Sequence, residues 1–287
     1  MSKRLDVKKT YKLYIGGAFP RSESDRYYSL NDKSGNFVAN ICRGSRKDFR
    51  NAVVAARKAQ GGWASRSAYN RGQILYRIAE MMEGRKDQLV AELKLEGSTE
   101  KQAVKEVEAA IDRAVYFAGW SDKFQQIFST VNPVASSHFN FSVPEPTGVV
   151  AIVMPESASL LGFMQYVLPA IVGGNTVVVL AAEKKPLAVL TLGEILHSSD
   201  VPGGVINILC GYRDELLSNF SSHMDVNALV LGSTDKDAIT LAQQQASQNV
   251  KPVLVKHDDD FLDEKHENPY AILELQEIKT TWHPIGI

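Results

Sequence analysis

Cysteine is nearly absent from this chain of 287 residues: only Cys42 and Cys210 occur, far apart and outside any CxxC spacing. That excludes a disulfide scaffold or a cysteine-rich zinc site and makes a reducing cytoplasm the expected compartment. Long apolar runs are lacking too, and none reaches the ~20 residues of a membrane span. The opening MSKRLDVKKT is basic with no apolar stretch behind it, so it reads as neither signal peptide nor anchor. Excess charge of one sign is absent as well. Lysine plus arginine (32) nearly cancel aspartate plus glutamate (33), which leaves no net field toward nucleic acid or membrane. The six histidines show no ligand spacing, and the acidic run from His257 to His266 reads as a solvated linker rather than a metal site.

What is present is an ordinary globular composition, 44% apolar, and a change of rhythm along the chain. Residues 11–43 read as short strands and turns, with Tyr11–Ile15 alternating into a Gly16-Gly17 turn. Ser45 is placed to cap a helix with the stripe Phe49, Val53, Val54 and Ala56, which Gly61-Gly62 is expected to break. Helical patterns follow over about 70–83, 86–95 and 100–120, and then an alternating stretch, Val131–Val143, punctuated by prolines.

From Gly148 strand and helix alternate. Candidate strands are 149–154, 176–180, 205–209, 228–231 and 252–255; candidate helices are 159–172, 186–197, 213–220 and 234–247. Gly173-Gly174-Asn175 reads as a helix stop, since no G-x-G-x-x-G follows a strand. Unbroken apolar strands with intervening helices predict a buried, doubly wound parallel sheet of Rossmann-like α/β class. Residues 270–278 and 279–282 alternate as a closing strand would.

The wording of Gly148 to Glu183, GVVAIVMPESASLLGFMQYVLPAIVGGNTVVVLAAE, resembles the aldehyde dehydrogenase superfamily. The family pattern there is G-V-V-x-x-I-x-P-W-N-F-P followed by P-A-L-A-A-G-N-T-V-V-x-K-P-A-E. The opening YKLYIGGAFPRSESDRYY looks closest to the branch known as aldehyde dehydrogenase family sixteen. The resemblance implies an NAD-binding domain over 1–256 with an N-terminal helical layer. It also implies a protruding β arm from 131–144, and a C-terminal oligomerisation strand over 270–287. The charged linker 257–269 stands where the family has a catalytic domain, and it is too short for a core of its own.

By the same resemblance, NAD or NADP is the expected cofactor, with Met154, Pro155, Glu183, Gly232 and Ser233 as the residues placed to hold it. The working letters are altered. The oxyanion-stabilising asparagine corresponds to Ser157, the general-base glutamate falls about at Val255, and neither cysteine matches the nucleophile's motif. The ribose-holding lysine corresponds to Leu180, while the glutamate survives as Glu183; a turn glycine has become Arg213. Gly232-Ser233-Thr234 opens a helix and has two readings. It could receive a pyrophosphate, or it is a plain helix start with Thr234 and Asp237 approximating a capping box, the reading favoured here.

No catalytic residue is therefore assigned. The leading expectation is a non-catalytic structural or regulatory subunit, homo-oligomeric or paired with a full-length aldehyde dehydrogenase. The alternatives are an NAD(H)-binding module and an NAD(P)-dependent aldehyde oxidoreductase active only with a partner.

Overall fold

The computed structural model describes residue 5, residues 7–257 and residues 260–286. The basic start at 1–4, two residues of the expected linker (258 and 259) and the last residue of the closing strand segment lie outside the described residues.

A small sheet opens the chain: β1 (Thr10–Tyr11) and β2 (Tyr27–Asn31) flank β3 (Phe37–Cys42). The Tyr11–Ile15 strand is shorter than its alternation suggests, because Tyr14 leaves to bridge Ile208 of the main sheet. Helices α1 (Arg46–Ala64), α2 (Ala68–Glu83), α3 (Lys86–Leu95), α4 (Glu100–Trp120) and α5 (Phe124–Phe128) follow. Ser45 caps α1 in a full capping box with Asp48. Two expectations fail within α1. Val54 is exposed, and the helix runs straight through Gly61-Gly62. Its last turn is held from outside, since buried Trp63 donates its indole N–H to the Ile171 carbonyl at 2.8 Å. That bond and the burial of the ring outweigh the ~1 kcal/mol helix penalty of each glycine.

Next come β4 (Thr130–Asn132) and β5 (His138–Pro146), then β6 (Val149–Val153), α6 (Leu160–Val172), β7 (Thr176–Leu180) and α7 (Leu187–His197). The alternation finishes with β8 (Ile206–Leu209), α8 (Arg213–Ser222), β9 (Ala228–Gly232), α9 (Lys236–Ala246) and β10 (Val253–Lys256). These five strands are parallel in the order β10-β9-β6-β7-β8. Counting only the strands of this sheet, the order is 3-2-1-4-5, the doubly wound arrangement, with its switch point between β6 and β9. Every residue of β6, β7, β8 and β9 is buried, which is why they read as continuous apolar runs rather than alternations. Helices α6 and α7 cover one face, with α2, α3 and α4 packed outside them; α1, α8 and α9 cover the other.

Asn175 joins three parts of the fold. Fully buried, it accepts the Gly148 N–H at 2.8 Å and donates to the carbonyls of Ala170 and Leu275. It thereby ties the start of β6 and the end of α6 to the C-terminal segment, and Gly174 before it takes the positive φ (+93°) that ends α6.

The C-terminal segment departs from expectation. Residues 270–278 are not one strand: a helical turn, α10 (Tyr270–Leu273), precedes β11 (Gln276–Pro284). Asn268 accepts the Tyr270 N–H at 2.9 Å and Pro269 caps the turn; the turn then buries Ile272 and Leu275 together. Strand β11 pairs antiparallel with β5, giving a separate sheet of order β11-β5-β4. Most described residues of the expected solvated linker are exposed, with one packed exception. Phe261 packs on the helix α6 residues Gly162 and Tyr166, and its carbonyl accepts from buried Arg113 at 3.2 Å. A short 3₁₀ turn, Glu264–His266, follows. One apolar ring in the charged run was enough to lay it down as a strap.

Among the described residues no helix is long and apolar enough to cross a membrane, and no group of three or more His, Cys, Asp or Glu could hold a metal ion.

Candidate functional site

The C-terminal ends of β6 and β9 meet at the switch point, where an open α/β sheet ordinarily takes its ligand. Four of the five expected cofactor residues are brought together there. Met154 and Pro155 leave β6, Gly232 ends β9, and Ser233 follows it. The approach is close: a Cβ built on Gly232 would stand 2.4 Å from Cδ and 2.6 Å from N of Pro155. Only a glycine lets the two strand ends come this near.

Arg213, the first residue of α8, crosses this junction. Its guanidinium donates to the Met154 carbonyl and to the Gly232 carbonyl, the latter at 3.1 Å, and lies 3.7 Å from the Glu156 carboxylate. One nitrogen, Nη2, so laces the end of β6 to the end of β9. From the other side Lys185 donates to the Ser157 carbonyl at 2.8 Å. The Pro155-Glu156-Ser157 turn is therefore held by two cations of the chain itself. Arg213 was visible in the sequence as a residue out of place; Lys185 was not singled out, although the Lys184-Lys185 pair ahead of Pro186 was there to be noticed.

The main chain around Ser233 is already engaged. Its N–H donates to the Lys256 carbonyl at 3.0 Å and its hydroxyl accepts the Asp235 N–H at 3.1 Å. Helix α9 begins two residues later than expected: its cap is Asp235, whose carboxylate accepts from the N–H groups of Asp237 and Ala238. The Thr234–Asp237 capping box is thus corrected. The anion at this helix end is supplied by the chain's own Asp235, which already satisfies the dipole and two of the first free N–H groups.

Glu183, the fifth expected residue, stands apart beyond β7, half-buried, its carbonyl accepting from the Tyr28 hydroxyl at 3.0 Å. Burial raises its carboxyl above the ordinary range, and the Glu156 and Asp214 carboxylates add to the shift. Clefts of about 370 and 570 Å³ open at this end of the sheet, the first lined by Glu183 and the second by Ser157 and Lys185. Gly232 and Ser233 line neither.

Both cysteines are free and buried. Cys210 lies at the end of β8 with no exposure, and burial pushes its thiol well above the usual range, the neighbouring Cys42 adding to the effect. A thiol so held is protonated at neutral pH and a poor nucleophile. Val255 is half-buried on β10.

Two glutamates missing from the sequence reading organise the inner helices. Glu96 accepts from the Leu187 N–H that starts α7 and, at 2.9 Å, from the hydroxyl of Ser159, the cap residue of α6. Glu106 accepts the Leu161 N–H at 3.2 Å. Carboxylates at helix starts are favourable, yet burial dominates at Glu96 and raises its pKa to about 8.

The chain belongs to the aldehyde dehydrogenase family, whose model matches residues 19–257. It is similar to the mitochondrial benzaldehyde dehydrogenase of Antirrhinum majus, 34% identical over 251 residues, covering 85% of this chain and 46% of that protein. It is similar to human retinal dehydrogenase 2, 30% identical over 258 residues, covering 88% of this chain and 49% of that one. Among solved structures, an NAD+ complex of aldehyde dehydrogenase from Bacillus cereus superposes with a TM-score of 0.82 at 24% identity, covering 87% and 51% of the two chains. That likeness is one of fold. The chain spans about half the length of these relatives.

Proposed function

We propose that this chain is a non-catalytic member of the family, a structural or regulatory subunit of the cytoplasm that holds no dinucleotide at its switch point. The observation that carries this reading is Arg213, bonded to the Met154 and Gly232 carbonyls where a cofactor would enter. The charges agree with it: Asp235 occupies the α9 N-terminus, and Glu156, Glu183 and Asp214 sit near enough to interact. Carboxylates so placed oppose a pyrophosphate. Leu180 is buried and apolar where the family resemblance expects a ribose-holding lysine. For chemistry, both cysteines are buried, burial keeps the Cys210 thiol protonated, and Val255 cannot take a proton.

Its partner on this reading is a second copy or a full-length aldehyde dehydrogenase, engaged through the β4-β5-β11 arm. The direct assay is NADH formation from NAD or NADP with a panel of aldehydes, by the isolated chain. The expected outcome is no turnover above background. Turnover that persists in the Cys42→Ser, Cys210→Ser double variant would overturn the reading. Activity that appears only with an added partner would replace it with a partner-dependent oxidoreductase.

A further inference from the structure

The arm sheet has one long open edge. Strand β11 pairs with β5 on one side, and among the described residues no strand pairs its other side. The register tells which main-chain groups face outward. The Ile285 N–H donates to the Ser137 carbonyl at 3.0 Å, and the Thr147 N–H to the Leu275 carbonyl at 3.5 Å. With the intervening pairs Gln276↔Pro146 through Pro284↔His138, the odd-numbered residues of β11 exchange the bonds with β5. The N–H and C=O groups of Ile278, Thr280 and Trp282 therefore point away from the sheet.

Natural edges are usually blunted by an exposed lysine. Here the lysine, Lys279, is exposed and pairs across to Glu145 of β5 at 3.3 Å. Ile278 and Trp282 are 54% and 57% exposed.

We infer that β11 pairs antiparallel with β11 of a second copy about a two-fold axis at Thr280, joining two arms into one six-stranded sheet. The inference rests on the reading that the chain works through assembly, and it names the occupant. Centred on Thr280, all three outward-facing residues exchange main-chain bonds, and Ile278 lies opposite the partner copy's Trp282. Glu277 lies opposite the partner copy's His283, an acid facing a base. Moving the axis one residue to Thr281 would set Lys279 against His283 and place Ile278 opposite Pro284, which has no N–H to give. An axis at Ile278 would set Glu277 against Lys279 but overlap only residues 276–280; the axis at Thr280, the midpoint of Gln276–Pro284, pairs the whole strand.

Single cysteines read that register directly, since Cys42 and Cys210 are buried. Thr280→Cys puts two thiols opposite each other, with Cα atoms about 5.5 Å apart, inside the range a disulfide spans. Glu277→Cys puts its own copies roughly 20 Å apart at ~3.3 Å per residue. Mild oxidation of the full chain is expected to give a covalent dimer with Thr280→Cys and none with Glu277→Cys. Light scattering of Ile278→Lys, an exposed position whose change spares the fold, is expected to show loss of the dimer. A chain that is oligomeric but does not cross-link through Thr280→Cys would overturn this pairing and leave the subunit reading standing. A monomeric chain would overturn both this pairing and the self-assembly part of that reading, and aldehyde turnover would separately remove the non-catalytic part.

Discussion

The Arg213 guanidinium donates to the Gly232 carbonyl at 3.1 Å, across the junction of β9 and β6. Its second acceptor is the Met154 carbonyl on the neighbouring strand. The residue acts as a cross-brace at the point where a doubly wound sheet is otherwise open.

Replacing it with lysine is therefore not conservative. Both bonds come from the guanidinium's Nη2, and a lysine ammonium is a more strongly hydrated point charge on a flexible stem, costlier to hold in that place. Arg213→Lys is expected to lose about 1.5–3 kcal/mol of stability, the worth of hydrogen bonds to a charged group. Urea unfolding with an unchanged m-value is the measurement, and a loss under about 0.5 kcal/mol, typical of a surface change, would show that the brace is idle.

Glu96 supplies a pH dependence. Folded, it keeps its proton to about 8, whereas the ordinary carboxyl releases it near 4.5. Folding takes up a proton between those values, so this group's contribution to stability is greatest at the acid end and falls as pH rises through the window. Glu96→Gln retains an acceptor for Ser159 and Leu187 but does not titrate. Relative to the parent, its Tm is expected to rise steadily from about pH 5 to about pH 8. A Tm difference that stays constant over that range would contradict the assignment.

The 260–269 strap is expected to depend on its one large apolar contact. Phe261→Ala removes the ring from Gly162 and Tyr166 and should cost roughly 1–3 kcal/mol, the range for burying such a side chain. The strap should also become the first site of cleavage in limited proteolysis, near Lys265. If cleavage there is unchanged, the strap is held by the Arg113 bond to the Phe261 carbonyl rather than by the ring.

The sequence made the parallel core legible because its strands are buried on both faces, and continuous runs such as Val149–Val153 have few other readings. Helix α3 was legible in full for a related reason: glycines outside each end bound a clear apolar stripe. Where tertiary contacts overrule local signals, the reading failed. Gly61-Gly62 looked like a stop, but Trp63 carries the helix past them by its bond to Ile171, a residue far along the chain. Residues 270–273 alternate like a strand, yet the Asn268-Pro269 start turns them into a helix. At the site, sequence marked Arg213 as a substitution without saying where its guanidinium goes. Lys185, Glu96 and Glu106 act through backbone groups distant in sequence, and spacing carries no trace of such bonds.

The central claim is that this crevice is closed by the chain's own residues and takes no dinucleotide. Calorimetric titration of the intact chain with NAD, carried to about 1 mM, tests it most directly. The account predicts heats no larger than those of dilution. A saturable isotherm with a micromolar Kd would contradict it and assign the chain to nucleotide binding.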